Sequence, residues 1–166
     1  MIGTDRSRER LDEPDLERLS QLAARDRAER FRRRPRWAFY SGRVICTALC
    51  QGAALHYLDG CTGIKDLDVW TFYADDPERP FPPRWRTTAD FGPSRFGRYS
   101  HDPATFAGRR VDLIGRSLPD APGTDPVASL RRYLRSGRTA TARALAAKAV
   151  VLIDPRHLRG TVVWPE

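Results

Sequence analysis

Two aspartates, Asp66 and Asp68, stand at alternate positions in the segment "GIKDLDVW", inside what otherwise reads as a buried strand. Side chains two apart in an extended chain leave the same face, with roots roughly 7 Å apart, while Leu67 and Val69 turn the other way into a core. Two carboxylates on one face repel each other unless a cation sits between them or water reaches them at a strand end. Asp112 interrupts a second apolar segment, "RRVDLIG", in the same manner. If neighbouring strands carry these aspartates to a common edge, the hard oxygen donors suit Mg2+ or Mn2+. Three carboxylates are enough for two divalent ions about 4 Å apart, an arrangement that supports in-line attack on a phosphoryl group. The competing expectation is structural: Asp66 in a turn after Gly63, Asp68 paired to an arginine, and Asp112 bridged to Arg109 or Arg110.

Upstream, Gln51, Gly52 and Ala53 fall between a strand-like run and a short helical one. Glycine lets backbone approach a ligand closely, and free N–H groups at a helix start attract anions. Phosphate and metal would then meet in one place. The only lysines are Lys65 and Lys148. Lys65 alternates with Asp66 and is expected at a solvated edge, and Lys148 is expected to cap a preceding helix rather than to reach phosphate. His56, His101 and His157 have no partner spacing and receive no role.

These residues must be positioned by an α/β (α+β) arrangement. Leucines and alanines recurring every three or four positions predict a helix from Pro14 to about residue 34, stopped by Pro35. Strands are expected at 44–49, 67–73 and 110–118, with a short helix at 53–58 ended by Gly60. Asp125 suits the N-cap of a helix through Leu134, a second helical stretch spans 139–147, and "AVVLI" and "GTVVW" supply strand or packing segments at the end. The expected organisation is a flexible N-terminus at 1–13 and a single domain at 14–166, with a small mixed sheet, an N-terminal helix and C-terminal helices. Residues 75–108 carry no sustained periodicity and read as one long loop. Its arginines, Arg79, Arg84, Arg86, Arg95 and Arg98, interleave with Phe81, Trp85, Phe91, Phe96 and Tyr99. That mixture suits stacking on bases, and it equally suits rings packed on the domain with guanidinium groups in water.

Composition narrows the class. The chain has 166 residues, 40% hydrophobic and 30% charged, enough for a core without metal or disulfide support. No apolar run reaches about 18 residues and the first 30 are charged throughout, so a cytoplasmic protein with no membrane segment is expected. Cys46, Cys50 and Cys61 lack metal-ligand spacing and read as buried free thiols. The net charge of +8 comes almost wholly from arginine. With abundant Ala, Gly and Pro, that pattern also follows from a coding sequence rich in G and C, so basicity alone does not name a nucleic-acid partner. The run "RFRRRPR" either binds phosphate or complements the end of its helix.

Taken in order, Gly52 and Ala53 at a strand-to-helix turn, Asp66-Leu67-Asp68-Val69, then Asp112 in a later strand resemble the nucleotidyltransferase superfamily that shares its fold with DNA polymerase beta. The resemblance covers about residues 40–118 and is closest to the AbiEii-type and minimal branches, often found in toxin–antitoxin pairs. It implies transfer of a nucleotidyl group from a nucleoside triphosphate to the hydroxyl of an unidentified acceptor, with an RNA or a protein as candidates. Asp66 and Asp68 would be metal ligands, Asp112 the third ligand and general base, and Gly52 and Ala53 the triphosphate-binding turn. The superfamily usually has Gly-Gly or Gly-Ser at that turn, and Ala53 brings neither a hydroxyl nor added backbone freedom. Loss of one charge-assisted hydrogen bond weakens phosphate binding by about 1.5 to 3 kcal/mol. A catalytically silent relative that binds RNA or a protein partner is therefore the second expectation.

Overall fold

The structure is a computed structural model describing residues 5–83 and 85–166. Its first helix, α1 (Glu13–Arg33), begins where Asp12 accepts a hydrogen bond from the backbone of Asp15, and the Asp15 carboxylate accepts one from Asp12 in return. This reciprocal cap satisfies two of the first helical N–H groups. Leu16, Leu19 and Leu22 form the buried stripe of α1, each contributing about 2 kcal/mol by leaving water. A 3₁₀ segment, Pro35–Gly42, then leads into strand β1 (Val44–Cys50), helix α2 (Gln51–Asp59) and strand β2 (Leu67–Ala74). Strand β3 (Arg86–Asp90) and strand β4 (Arg110–Leu118) follow, then helices α3 (Pro126–Ser136) and α4 (Ala140–Ala146) and strands β5 (Val150–Asp154) and β6 (Val162–Trp164). None of the described helices is long and apolar enough to cross a membrane.

One six-stranded mixed sheet runs in the order β3-β4-β2-β1-β5-β6. β2 and β4 pair in parallel, and the other neighbours pair antiparallel. Alternation along the strands gives each face its own cover. Leu67 and Val69 of β2, with Val111 and Leu113 of β4, pack beneath α1 and α2. On the reverse face, Cys46, Ala48, Phe72 and Leu152 pack against Leu130, Leu134 and Leu145 of α3 and α4. The mixed sheet, N-terminal helix and C-terminal helices agree with the architecture expected from the sequence.

Three local expectations change. Residues 75–108 are not one irregular loop, because β3 adds an antiparallel edge to β4 there. Five residues with two β-branched threonines are too short to show a period against the surrounding Pro and Gly. The loop's rings are packing residues: Trp85, Phe91 and Phe96 are buried, and Phe81 stacks on Trp85 at 5.5 Å between centroids. Gly115 of β4 makes room for this packing, since a Cβ there would meet the Trp85 ring at 2.7 Å. Arg84, expected among the base-gripping arginines, lies outside the described residues.

The N-terminal segment is also held, not free, from Asp5 onward, where the Asp5 carbonyl accepts a hydrogen bond from Arg109 at 2.8 Å. Ser7 exchanges backbone hydrogen bonds with Ile64 at 2.9 and 2.7 Å, and Leu11 is buried. Polarity hid this anchoring, because backbone pairing is blind to side-chain type. Of the thiols, Cys46 and Cys50 are buried as expected, but Cys61 is exposed in the turn after α2. Several arginines of the run ending α1 are engaged within the protein: Arg32 and Arg33 reach Glu29 at 2.7 Å, and Arg30 lies over Trp85.

Candidate functional site

The antiparallel register of β1 and β2 sets Cys50, the last residue of β1, opposite Asp68 near the start of β2. The turn that follows Cys50 therefore rises beside the aspartates, although some fifteen positions separate them in the chain. That turn is abrupt. Cys50 is extended, and Gln51 takes a left-handed φ of 61°, a conformation sparsely populated by residues other than glycine. No side chain caps the N-terminus of α2, so its first N–H groups are left for other partners.

Gln51, Gly52 and Ala53 share one cleft of about 350 Å³ with Asp66, Asp68, Lys65, Arg86 and Lys148. A Cβ added to Gly52 would meet nothing within 4 Å, so glycine here keeps cleft space open instead of avoiding a clash. Ala53 is 2% exposed and its methyl belongs to the core under α1. A hydroxyl at that position would enter an apolar environment, so position 53 serves the cleft through its backbone.

The parallel register of β2 and β4 pairs Asp68 directly with Asp112, as the common-edge expectation requires. Their settings differ. Asp112 is 2% exposed and does not line the cleft; Arg86 Nη2 stands 3.6 Å and Arg110 Nε 3.4 Å from its carboxylate. Asp66 accepts a hydrogen bond from Arg110 Nη2 at 2.9 Å. Asp68 forms no ion pair within 4 Å among the described residues. Burial, then the charges of Asp66 and Asp112, push its carboxyl up to about 7, with Arg86 opposing.

Arg110 thus sits among Asp66, Asp112 and Asp102, the last at 3.8 Å. Burial works against its charge, yet these three carboxylates raise its guanidinium above the ordinary value. Among the described residues no three Asp, Glu, His or Cys side chains close around a single ion position in this arrangement. The donor chemistry still fits a hard divalent ion. Two carboxylates line an open cleft, a third adjoins one of them, and Asp68 has no arginine paired to it within 4 Å among the described residues.

The flanking cations were only partly legible. Lys65, expected at a solvated edge, and Lys148, expected as a helix cap, both line the cleft. Lys148 is brought there because Val150 of β5 pairs with Cys50, placing the residues before β5 beside the turn. Arg6 also lines the cleft, carried in by the Ser7–Ile64 pairing. Nothing local in the sequence marks Arg6 or Asp102. Arg110 has a signal, since it alternates with Asp112 and must share its face. Buried His56 bonds the Thr62 carbonyl through Nδ1 and fastens α2 to the following turn, a structural duty. Compared with protein-family models, with curated proteins and with solved structures, the chain matches none.

Proposed function

We propose that this cleft binds a nucleoside triphosphate with a divalent ion and transfers its nucleotidyl group to an acceptor hydroxyl, in the manner of the nucleotidyltransferases the sequence resembles. One observation carries the reading: the uncapped turn at Gln51, Gly52 and Ala53 opens into the same cleft as Asp66 and Asp68. Backbone N–H groups at the start of α2 bind phosphate oxygens, and Lys65, Arg86, Lys148 and Arg6 offset triphosphate charge. Asp66 and Asp68 would hold Mg2+ or Mn2+, with Asp112 as third ligand. When bound, the ion supplies Lewis-acid stabilisation of phosphoryl oxygens and favours deprotonation of the attacking hydroxyl. Asp112, buried beside Asp68 behind the cleft wall, would take the proton from that hydroxyl once Arg86 and Arg110 give up its carboxylate. The acceptor oxygen bonds to the α-phosphorus, the bond from that phosphorus to the α–β bridging oxygen breaks, and pyrophosphate departs.

A second reading has its own support, because Arg110 already compensates Asp66 and Asp112. A fold so neutralised suits a catalytically silent relative that binds RNA or a protein, including a toxin–antitoxin component. Calorimetric titration with Mn2+, alone and with ATP or CTP, separates the two. The transferase reading expects millimolar or tighter Mn2+ binding, strengthened by nucleotide and abolished by Asp66→Asn with Asp68→Asn. Absence of Mn2+ binding to the wild type, or binding unchanged in the double variant, sinks it in favour of the silent reading.

A further inference from the structure

A second cleft, of about 600 Å³, lies at the later end of β4, past the carboxylate cleft, and wraps the strand edge that β3 leaves uncovered. Asp112, Ile114 and Arg116 alternate along β4, and register sets Ile114 beside Trp70 and Arg116 beside Phe72. Trp70 and Ile114 belong to the wall of the first cleft, and Arg116 to the wall of the second. The separation from Asp112 to Arg116 is four residues of strand, about 13 Å.

The second cleft lies between the later half of β4, the end of α3 and the segment at Phe81. Its charge is lopsided. Arg116, Arg132 and Arg138 face a single carboxylate, Asp120, whose two oxygens are already taken by Arg132 at 2.9 Å and by the Ser129 hydroxyl. Among the described residues, the guanidinium groups of Arg116 and Arg138 form no hydrogen bond and no ion pair. Tyr133 and Phe81 add aromatic surface beside these cations, and Ser117 lies next to Arg116 on the wall. Two uncommitted guanidinium groups, an aromatic wall and a volume of this size match a phosphate-bearing, ring-containing ligand.

We propose that the second cleft binds a phosphate-bearing acceptor of nucleotide size and directs its hydroxyl along β4 toward Asp68 and Asp112. The role as acceptor site rests on the nucleotidyl-transfer reading above, whereas the binding of a phosphorylated ligand does not. The shared chemistry is a nucleotide phosphomonoester, supplied either free or as the 5′ end of a single-stranded RNA.

The test uses the full chain in EDTA, with AMP, adenosine and a 5′-phosphorylated RNA decamer as calorimetric probes. AMP is expected to bind and adenosine to bind at least tenfold more weakly. Arg116→Gln with Arg138→Gln is expected to weaken AMP at least tenfold, while Asp66→Asn with Asp68→Asn leaves it unchanged. Arg138→Glu, at an exposed position after α3, repeats the test with no buried group disturbed. Competition by the decamer against AMP, with tighter binding, identifies an RNA end as the source; AMP binding without decamer binding identifies a free nucleotide. AMP and decamer that both fail to bind at millimolar concentration, or that bind equally to wild type and to both arginine variants, overturn the proposal. A parallel titration with Mn2+ and ATP keeps the two ideas apart. Its loss with AMP binding intact removes the transferase reading alone, and the converse removes this site alone.

Discussion

Asp68→Asn is expected to make the metal-free protein more stable, and to do so by an amount that depends on pH. Asp68 titrates near 7 in the folded protein and near the ordinary 3.8 when unfolded, because burial and the charges of Asp66 and Asp112 penalise its ionised form. A folded pKa raised in this way means the native state holds the proton more tightly than the unfolded chain. Folding is unaffected by the group below about 4, loses stability as pH rises from 4 to 7, and carries the full penalty above 7. At about 1.4 kcal/mol per pH unit, ionised Asp68 costs roughly 4 kcal/mol at pH 8 and about 1.6 kcal/mol at pH 5. The assay is urea unfolding in EDTA at pH 5 and pH 8 for both proteins. The variant is expected to gain a few kcal/mol at pH 8 and distinctly less at pH 5. Glu29, bonded by Arg32 and Arg33, and Asp59, bonded by Thr62, titrate at about 2 and fall below this window. Asp15 is also raised by burial, so the comparison between proteins, not the pH trend of either one, isolates Asp68. A variant no more stable than wild type at pH 8, or equally stabilised at both pH values, refutes the electrostatic account.

Arg110→Gln should act with the opposite sign in the metal-free protein, lowering urea stability by about 3 kcal/mol because buried Asp112 keeps only the more distant Arg86. In the same variant Mn2+ binding by calorimetry should tighten at least tenfold, since Asp66 no longer shares its carboxylate with a guanidinium. Gly115→Ala should cost about 1 to 3 kcal/mol in urea unfolding, because the new methyl is forced against the Trp85 ring. Its effect on Mn2+ binding should be small, as Gly115 lies outside the carboxylate cleft.

Much of the site was legible because alternation in a strand is a short-range rule. Asp66, Asp68 and Asp112 could be placed on one face from their immediate neighbours, and the turn at Gly52 from the break between two apolar runs. What escaped detection depends on pairing between distant segments. Lys148 enters the cleft only because β5 pairs with β1, and Arg6 only because Ser7 pairs with Ile64. Asp102 sits in an irregular segment, where no period predicts which way a side chain turns. Strand β3 is an edge that draws its order from β4, and five residues of such a strand leave little imprint on hydropathy. The doubt attached to Ala53 also changes character, since its side chain belongs to the buried core while the residue still borders the cleft.

The arginine at position 110 follows from the same alternation that assembles the carboxylates. Three acidic groups brought together by β2 and β4 would oppose folding if each had to be buried ionised without a partner. Asp66 and Arg110 each stand one residue before the first rung of the parallel ladder, Leu67 with Val111, and from there Arg110 reaches Asp66, Asp112 and Asp102. The compensation is incomplete at one position, because Asp68 is left with a raised carboxyl and no ion pair. A divalent ion arriving in the cleft therefore meets one carboxylate that gains outright from its charge and two that must exchange a guanidinium for it. The contrast between Asp68→Asn, which stabilises the metal-free chain, and Arg110→Gln, which destabilises it, follows from that division of labour. Only an arrangement in which Asp68 is the unsatisfied member yields both signs together.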